Sequence, residues 1–197
     1  MFTSIDYIVK NYSDKISKTD ILALILSVLM KTVEINTDEY FIMAGYGLRG
    51  LKEIGDLDVG VNRKSFQILK QYLPSSTAKI SKTERIVLKL NKLKTEIEFF
   101  ELENKGFPSN KYSLKNLLKN KNLITDPFGN YYFNARTLAD FYSEVKLIDG
   151  VYYVGDYEVS KDRIVKNINQ LTLLYNGSKK HREYIKSKIA KIKKMLV

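Results

Sequence analysis

The residues best suited to chemistry lie in one short span, Met43 to Val61, which reads MAGYGLRGLKEIGDLDVGV. Its end, Gly55-Asp56-Leu57-Asp58-Val59-Gly60-Val61, has the pattern of a strand. Side chains alternate faces along a strand, so Asp56 and Asp58 point one way while Leu57, Val59 and Val61 face a core. Two carboxylates on one strand face repel each other unless something positive stands between them, and a hard divalent cation with oxygen ligands is the natural candidate. Upstream, the apolar run Tyr40 to Ala44 leads into Gly45-Tyr46-Gly47. Glycines there let backbone N–H groups come close to an anion, and a helix starting near Leu48 would aim its positive end at the same place. A phosphate-binding loop beside metal-binding carboxylates implies phosphoryl-group chemistry on a nucleotide.

This arrangement resembles the signature of the polymerase-beta-like nucleotidyltransferase superfamily. That signature is a small-residue turn after a first strand, then Asp-x-Asp on the next strand, then a third carboxylate on a later strand. The turn here is Gly45-Tyr46-Gly47, and Asp56 follows Gly45 by eleven positions. Arg49 resembles the basic residue that several branches carry at the start of the helix. Tyr46 departs from the pattern, standing where the superfamily has Gly or Ser. A backbone contact to phosphate survives that change; a seryl hydroxyl contact does not, unless Gly47 takes over the role. The superfamily's third carboxylate sits in a hydrophobic-acid-hydrophobic triplet, which Ile97-Glu98-Phe99 matches. Glu96 shares the Glu98 face by period two and is the alternative, while Glu101 falls on the other face.

The resemblance implies a Mg²⁺-dependent enzyme, with two metal ions held by Asp56, Asp58 and Glu98. The triphosphate of a nucleoside triphosphate would lie against Gly45, Tyr46, Gly47 and Arg49. In-line attack by an acceptor hydroxyl on the α-phosphorus would transfer the nucleoside monophosphate and release pyrophosphate. The match covers residues 40–102, and the second half resembles the superfamily only in its helical character.

Composition narrows the alternatives. There is no cysteine, which removes disulfides and thiolate metal sites, and one histidine, His181, which removes multi-histidine zinc centres and most triad chemistry. The longest apolar run, Ile21 to Met30 broken only by Ser27, is shorter than the ~20 residues of a membrane span and reads as a buried helix. No basic region followed by an apolar core opens the chain, so no signal peptide is expected and a cytoplasmic protein is the default. The formal charge is +11, of which residues 178–197 carry +7: Lys179, Lys180, Arg182, Lys186, Lys188, Lys191, Lys193 and Lys194 against Glu183. Such asymmetry suggests a polyanionic partner, although a charge run is also simply a solvated face.

Around the catalytic span, periodicity and capping residues set out the remaining elements. Helices are expected over 4–16 and, capped by Ser17 or Thr19, over 19–34, the second central to a core. A strand over 39–44 precedes the glycine turn, and a short helix over 48–54 leads to the strand 56–61. Asn62 caps a helix over 63–73 that Pro74 ends. Strands over 85–90 and 94–102 form a hairpin around Asn91 and Lys92. Loop-like composition from Asn104 to Asn110 marks a boundary between a catalytic core, 1–104, and an acceptor-binding region, 105–197. In the latter, helices are expected over 112–119, 134–146, 160–175 and, capped by Ser178, 179–196, with a turn at Asp126 to Asn130 and an extended stretch over 151–159. The expected fold class is α+β: a small mixed nucleotidyltransferase sheet flanked by helices, then a mostly helical C-terminal region.

The acceptor is open at this level. The last helix, through lysines such as Lys186 and Lys193, together with Tyr131, Tyr132, Tyr152 and Tyr153, could hold single-stranded RNA or a tRNA end by charge and stacking. Those tyrosines could equally be core packing. A protein hydroxyl or a small molecule such as an aminoglycoside would use the same catalytic residues, as in a toxin-like or antibiotic-modifying enzyme. A catalytically weak nucleic-acid-binding module is the remaining alternative.

Overall fold

The computed structural model describes residues 2–73, 78–80, 85–102, 113–154 and 157–196. In chain order the elements are α1 (Phe2–Tyr12), α2 (Lys18–Thr32), β1 (Tyr40–Ile42), β2 (Leu57–Val61), α3 (Arg63–Tyr72), β3 (Ala78–Ile80), β4 (Arg85–Leu90), β5 (Thr95–Glu101), α4 (Leu114–Lys119), β6 (Leu123–Thr125), β7 (Tyr131–Phe133), α5 (Ala135–Tyr142), β8 (Val145–Ile148), β9 (Val151–Val154), β10 (Tyr157–Val159), α6 (Lys161–Gly177) and α7 (Arg182–Lys193). The architecture is α+β. The chain divides into two compact units, Met1–Glu103 with Ile124–Tyr132, and Asn104–Leu123 with Phe133–Val197. The boundary expected at 104/105 lies outside the described residues, as does Pro74 itself, while α3 ends at Tyr72 with Leu73 as its C-cap.

The first unit is built on a mixed sheet of strand order β3-β4-β5-β2-β1-β7-β6. One face of it is apolar. Tyr40, Ile42, Leu57, Val59, Val61, Ile86, Leu88, Leu90, Ile97 and Phe99 pack there with Ile5 and Ile8 of α1, most of α2, and Phe66 and Leu69 of α3. Helix α2 is buried on nearly all sides: Ile21, Leu22, Ala23, Ile25, Leu26, Leu29 and Met30 are all at or below 1 % exposed. Burying a side chain such as Leu26 that completely is worth about 2–5 kcal/mol against alanine. The Ser17 hydroxyl accepts the Asp20 N–H and starts α2. Asn62 does the same for α3 through Ser65 N–H, at 2.8 Å. Gly60 in β2 has a packing reason. A Cβ there would lie 2.6 Å from Leu102 Cδ2 and 3.1 Å from Phe41 Cε1.

The second unit holds α4 to α7 and a three-stranded antiparallel sheet, β10-β9-β8. Ser113, Asn134 and Ser160 cap α4, α5 and α6 with their side chains. Leu138, Ala139, Ile164, Leu171, Leu174, Ile185 and Ile192 are buried. Tyr152 donates its hydroxyl to the Met195 carbonyl at 2.8 Å. Among the described residues no helix is long and apolar enough to cross a membrane.

Three expected elements differ. The helix over 48–54 is absent: a 3-10 helix spans Ala44–Leu48 and turns follow, because Gly50 takes a φ of +78° and breaks any helical continuation. The helix expected to run to 146 stops at Tyr142, and Val145–Ile148 forms β8 instead. Asp149 and Gly150, at φ +50° and +80°, make the two-residue hairpin turn into β9. The last helix begins at Arg182 rather than 179. Ser178 closes α6 instead of capping α7, whose N-cap is His181 with no side-chain bond.

Candidate functional site

Strands β2 and β5 run parallel in the register Leu57↔Ile97, Asp58↔Glu98, Val59↔Phe99. Both carry an apolar-acid-apolar triplet. Burying the apolar members on the helix-covered face turns both acids onto the opposite face, side by side at one level. One residue before the paired register begins, Asp56 stands level with Glu96, and both line one cleft of about 540 Å³ with Gly55, Lys89, Asn91, Lys94 and Thr95. The Thr95 hydroxyl donates to the Gly55 carbonyl and fixes this end of the pair. The sheet therefore sets out four carboxylates in two rungs, 56/96 and 58/98. Asp56 is exposed in the bend preceding β2, Asp58 is half-buried, and Glu98 is 7 % exposed.

Antiparallel β4 flanks this face, pairing Val87 with Glu98 and Lys89 with Glu96. Arg85 donates from Nη1 to Glu98 Oε2 at 2.6 Å, and its Nε–H is buried with no acceptor among the described residues. Burial raises the Glu98 carboxyl above the ordinary value, Arg85 pulls it back, and neighbouring Glu96 raises it further; the net direction is upward. A carboxylate is kept charged here only by a cation beside it.

The glycine turn adjoins this face. Met43 N–H donates to the Asp58 carbonyl at 2.7 Å, extending the β1–β2 ladder to the start of the turn. The sharp bend falls on Ala44, at φ +36°, rather than on a glycine. A Cβ at Gly45 would meet nothing within 4 Å, so open space lies over that backbone. Gly47 sits in the same 3-10 helix and is half-buried. With no helix following, the dipole expected to reinforce a phosphate here is missing.

Tyr46 and Arg49, expected at the triphosphate, hold the fold. Tyr46 is 1 % exposed. It donates its hydroxyl to Asp126 Oδ2 at 2.8 Å. Asp126 also accepts from the Phe128 and Asn130 N–H groups at 2.8 and 2.9 Å and from the Asn130 side-chain amide at 2.9 Å. Tyr40 donates to Asn130 Oδ1 at 2.8 Å, and Asn130 donates to the Ala23 carbonyl at 3.1 Å. Burial and the Asp126 carboxylate push both phenols well above their ordinary range. The Arg49 guanidinium lies 5.3 Å and 5.1 Å from the ring centroids of Tyr46 and Tyr132, 3.2 Å from the Tyr46 hydroxyl and 3.8 Å from Asp20. It faces a separate cleft, formed with Ser17, Lys18, Asp20 and Lys52. The cations sharing a cleft with Asp56 are instead Lys89 and Lys94, both exposed. The sequence signal for them was their place at the end of the hairpin that carries Glu96 and Glu98.

Oxygen ligands of net negative charge on one face have the donor chemistry of a hard divalent cation such as Mg²⁺. Among the described residues, no three His, Cys, Asp or Glu side chains already converge on one point. Elsewhere, Lys186 and Lys193 are exposed on α7, Tyr132 is buried against Tyr46, and Tyr131, Tyr152 and Tyr153 are half-buried. No protein-family model matches this chain, and no curated protein or solved structure matches it either.

Proposed function

We propose that this chain is a Mg²⁺-dependent nucleotidyltransferase that moves a nucleoside monophosphate from a nucleoside triphosphate to an acceptor hydroxyl. The observation that carries the reading is the parallel register placing Asp58 beside Glu98, with Asp56 one rung away. Asp56, Asp58 and Glu98 would hold the metal, which would neutralise phosphate charge and acidify the acceptor hydroxyl. The open backbone at Gly45 leaves room for a phosphate beside Asp58. Lys89 and Lys94, rather than Arg49, would steady the triphosphate. With no covalent intermediate on the protein, these residues contribute by position and charge.

The test is incubation of the purified protein with each common nucleoside triphosphate labelled at the α-phosphorus, Mg²⁺, and cellular RNA, protein or small-molecule fractions. Label entering one fraction, and lost on chelation and in Asp58→Asn, supports the reading. Absence of label with every nucleotide and fraction overturns it. The Arg85–Glu98 ion pair favours a second reading, a module of this fold with weak or no catalysis, in which Arg85 neutralises the acidic face permanently.

A further inference from the structure

The net charge is not shared between the two units. Residues 1–103 and 124–132 hold fifteen Lys/Arg and fifteen Asp/Glu, and are neutral overall. Residues 104–123 and 133–197 hold eighteen against seven, which is the whole +11. Two of those seven acids stand in ion pairs with lysines of α7, Lys186–Glu183 at 4.0 Å and Lys188–Asp140 at 2.6 Å.

Helix α7 shows how this charge is displayed. Ile185 and Ile192 are fully buried, which fixes the rotation of the helix within its unit. Arg182, Lys186 and Lys193 then fall within about 40° of one another around the axis, spaced about 6 Å and about 10 Å along it. All three are exposed, as are Lys191 and Lys194 on other sides of the helix. Arg182 is oriented by its stacking on Tyr175, 5.3 Å from the ring centroid. Lys188 is excluded from the row, because Asp140 and the Tyr184 ring hold it on the inner side.

The exposed positions of α7 decide which polyanion suits it. They are Arg182, Glu183, Lys186, Ser187, Ala190, Lys191 and Lys193, with no large apolar side chain among them. An interfacial helix binds lipid by burying an apolar face, and here that face is already spent inside the unit. A rigid row of cations suits instead a backbone that repeats its phosphates at short, regular intervals. We propose that the exposed flank of α7 formed by Arg182, Lys186 and Lys193 is a nucleic-acid-binding surface that reads phosphate rather than sequence. That the bound strand is also the acceptor rests on the nucleotidyl-transfer reading; the binding itself does not.

The test is fluorescence anisotropy with a labelled single-stranded RNA of about 20 nucleotides, without nucleotide or Mg²⁺, over a range of salt. The parent should bind at low salt, with affinity falling steeply as salt rises. The Lys186→Glu/Lys193→Glu variant should lose at least tenfold in affinity, and its log–log salt slope should shrink by about 1.4, roughly 0.7 per phosphate contact. Lys10→Glu/Lys31→Glu makes the same charge change at exposed sites of the first unit and should bind within about twofold of the parent. Thermal melts of both variants check the fold, and Asp58→Asn should bind as the parent does. No binding at low salt, a flat salt titration, or equal loss in the first-unit variant overturns the proposal. So does loss of binding in Asp58→Asn, or a preference for anionic vesicles that RNA cannot compete away. Failure of nucleotidyl transfer in the labelling assay would leave these binding results standing and reject only the acceptor role.

Discussion

Asp58 and Glu98 stand at one level of two paired parallel strands, β2 and β5, with Arg85 from the next strand 2.6 Å from Glu98. Strand spacing of about 4.8 Å brings their carboxyl groups within range of a shared ion. Asp58→Asn keeps the volume and removes the charge. It should abolish transfer, a loss of several kcal/mol or more of transition-state stabilisation, with little change in melting temperature. Label incorporation and a thermal melt on the same preparation check this; undiminished incorporation would remove Asp58 from the mechanism.

Lys89 and Lys94 should govern nucleotide affinity, and Arg49 should not. Alanine at either lysine should raise the KM for nucleoside triphosphate about tenfold, some 1.4 kcal/mol, without lowering stability. Arg49→Ala should leave KM near the parent value but destabilise the protein by about 1–2 kcal/mol, because two ring contacts and a hydrogen bond to Tyr46 are lost. Steady-state kinetics beside denaturant melts would show the opposite pattern if Arg49 holds the triphosphate.

Asp126 is the polar centre of the first unit, accepting four hydrogen bonds. Asp126→Ala leaves the buried Tyr46 hydroxyl and Asn130 amide without their acceptor and should cost about 3 kcal/mol or more. Tyr46→Phe removes one bond and should cost about 1 kcal/mol. Urea unfolding of the two variants gives the ranking; equal effects would contradict the network.

Glu39 provides a pH signature of stability. Burial pushes its carboxyl up, but the Asn36 N–H, the Asn62 and Asn36 amides and Lys64 outweigh burial and hold it below the usual 4.5. A carboxyl with a depressed folded value stabilises above its unfolded value and loses that contribution as pH falls through the folded one. Glu39→Gln should therefore be less stable by about 1 kcal/mol at neutral pH, and the difference should shrink below pH 4.5. Melting temperatures of both proteins across that range check it; a constant gap would mean that the charge of Glu39 contributes nothing.

Features that rest on local physics were legible along the chain. Period-two alternation placed Asp58 and Glu98 opposite the apolar residues of their strands, and Asn62, Asn134 and Ser160 announced the helices they cap. The apolar stripe Ile185, Ile189, Ile192 and Leu196, spaced four, three and four, marked the inward side of the last helix; Ile185 and Ile192 are fully buried, Ile189 and Leu196 half-buried. Asp149-Gly150 is an equally local hairpin signal, masked by the helical pattern that runs up to it. Features that depend on partners far along the chain were settled only by packing. That β5 pairs parallel with β2, putting Glu98 beside Asp58 and Glu96 beside Asp56, comes from the order of strands in the sheet, which no spacing encodes. Arg49 and Tyr46 look like phosphate ligands until Asp126, eighty residues beyond Tyr46, accepts the tyrosine hydroxyl, and Asp20 and Tyr132 close on the guanidinium. The charge division was legible as well: residues 1–103 sum to +1 and 104–197 to +10, and the return of Ile124–Tyr132 to the first unit shifts only the single charge of Asp126. Backbone alternation and capping act over a few residues, whereas strand order and the partner of a buried polar group are settled only when distant segments pack.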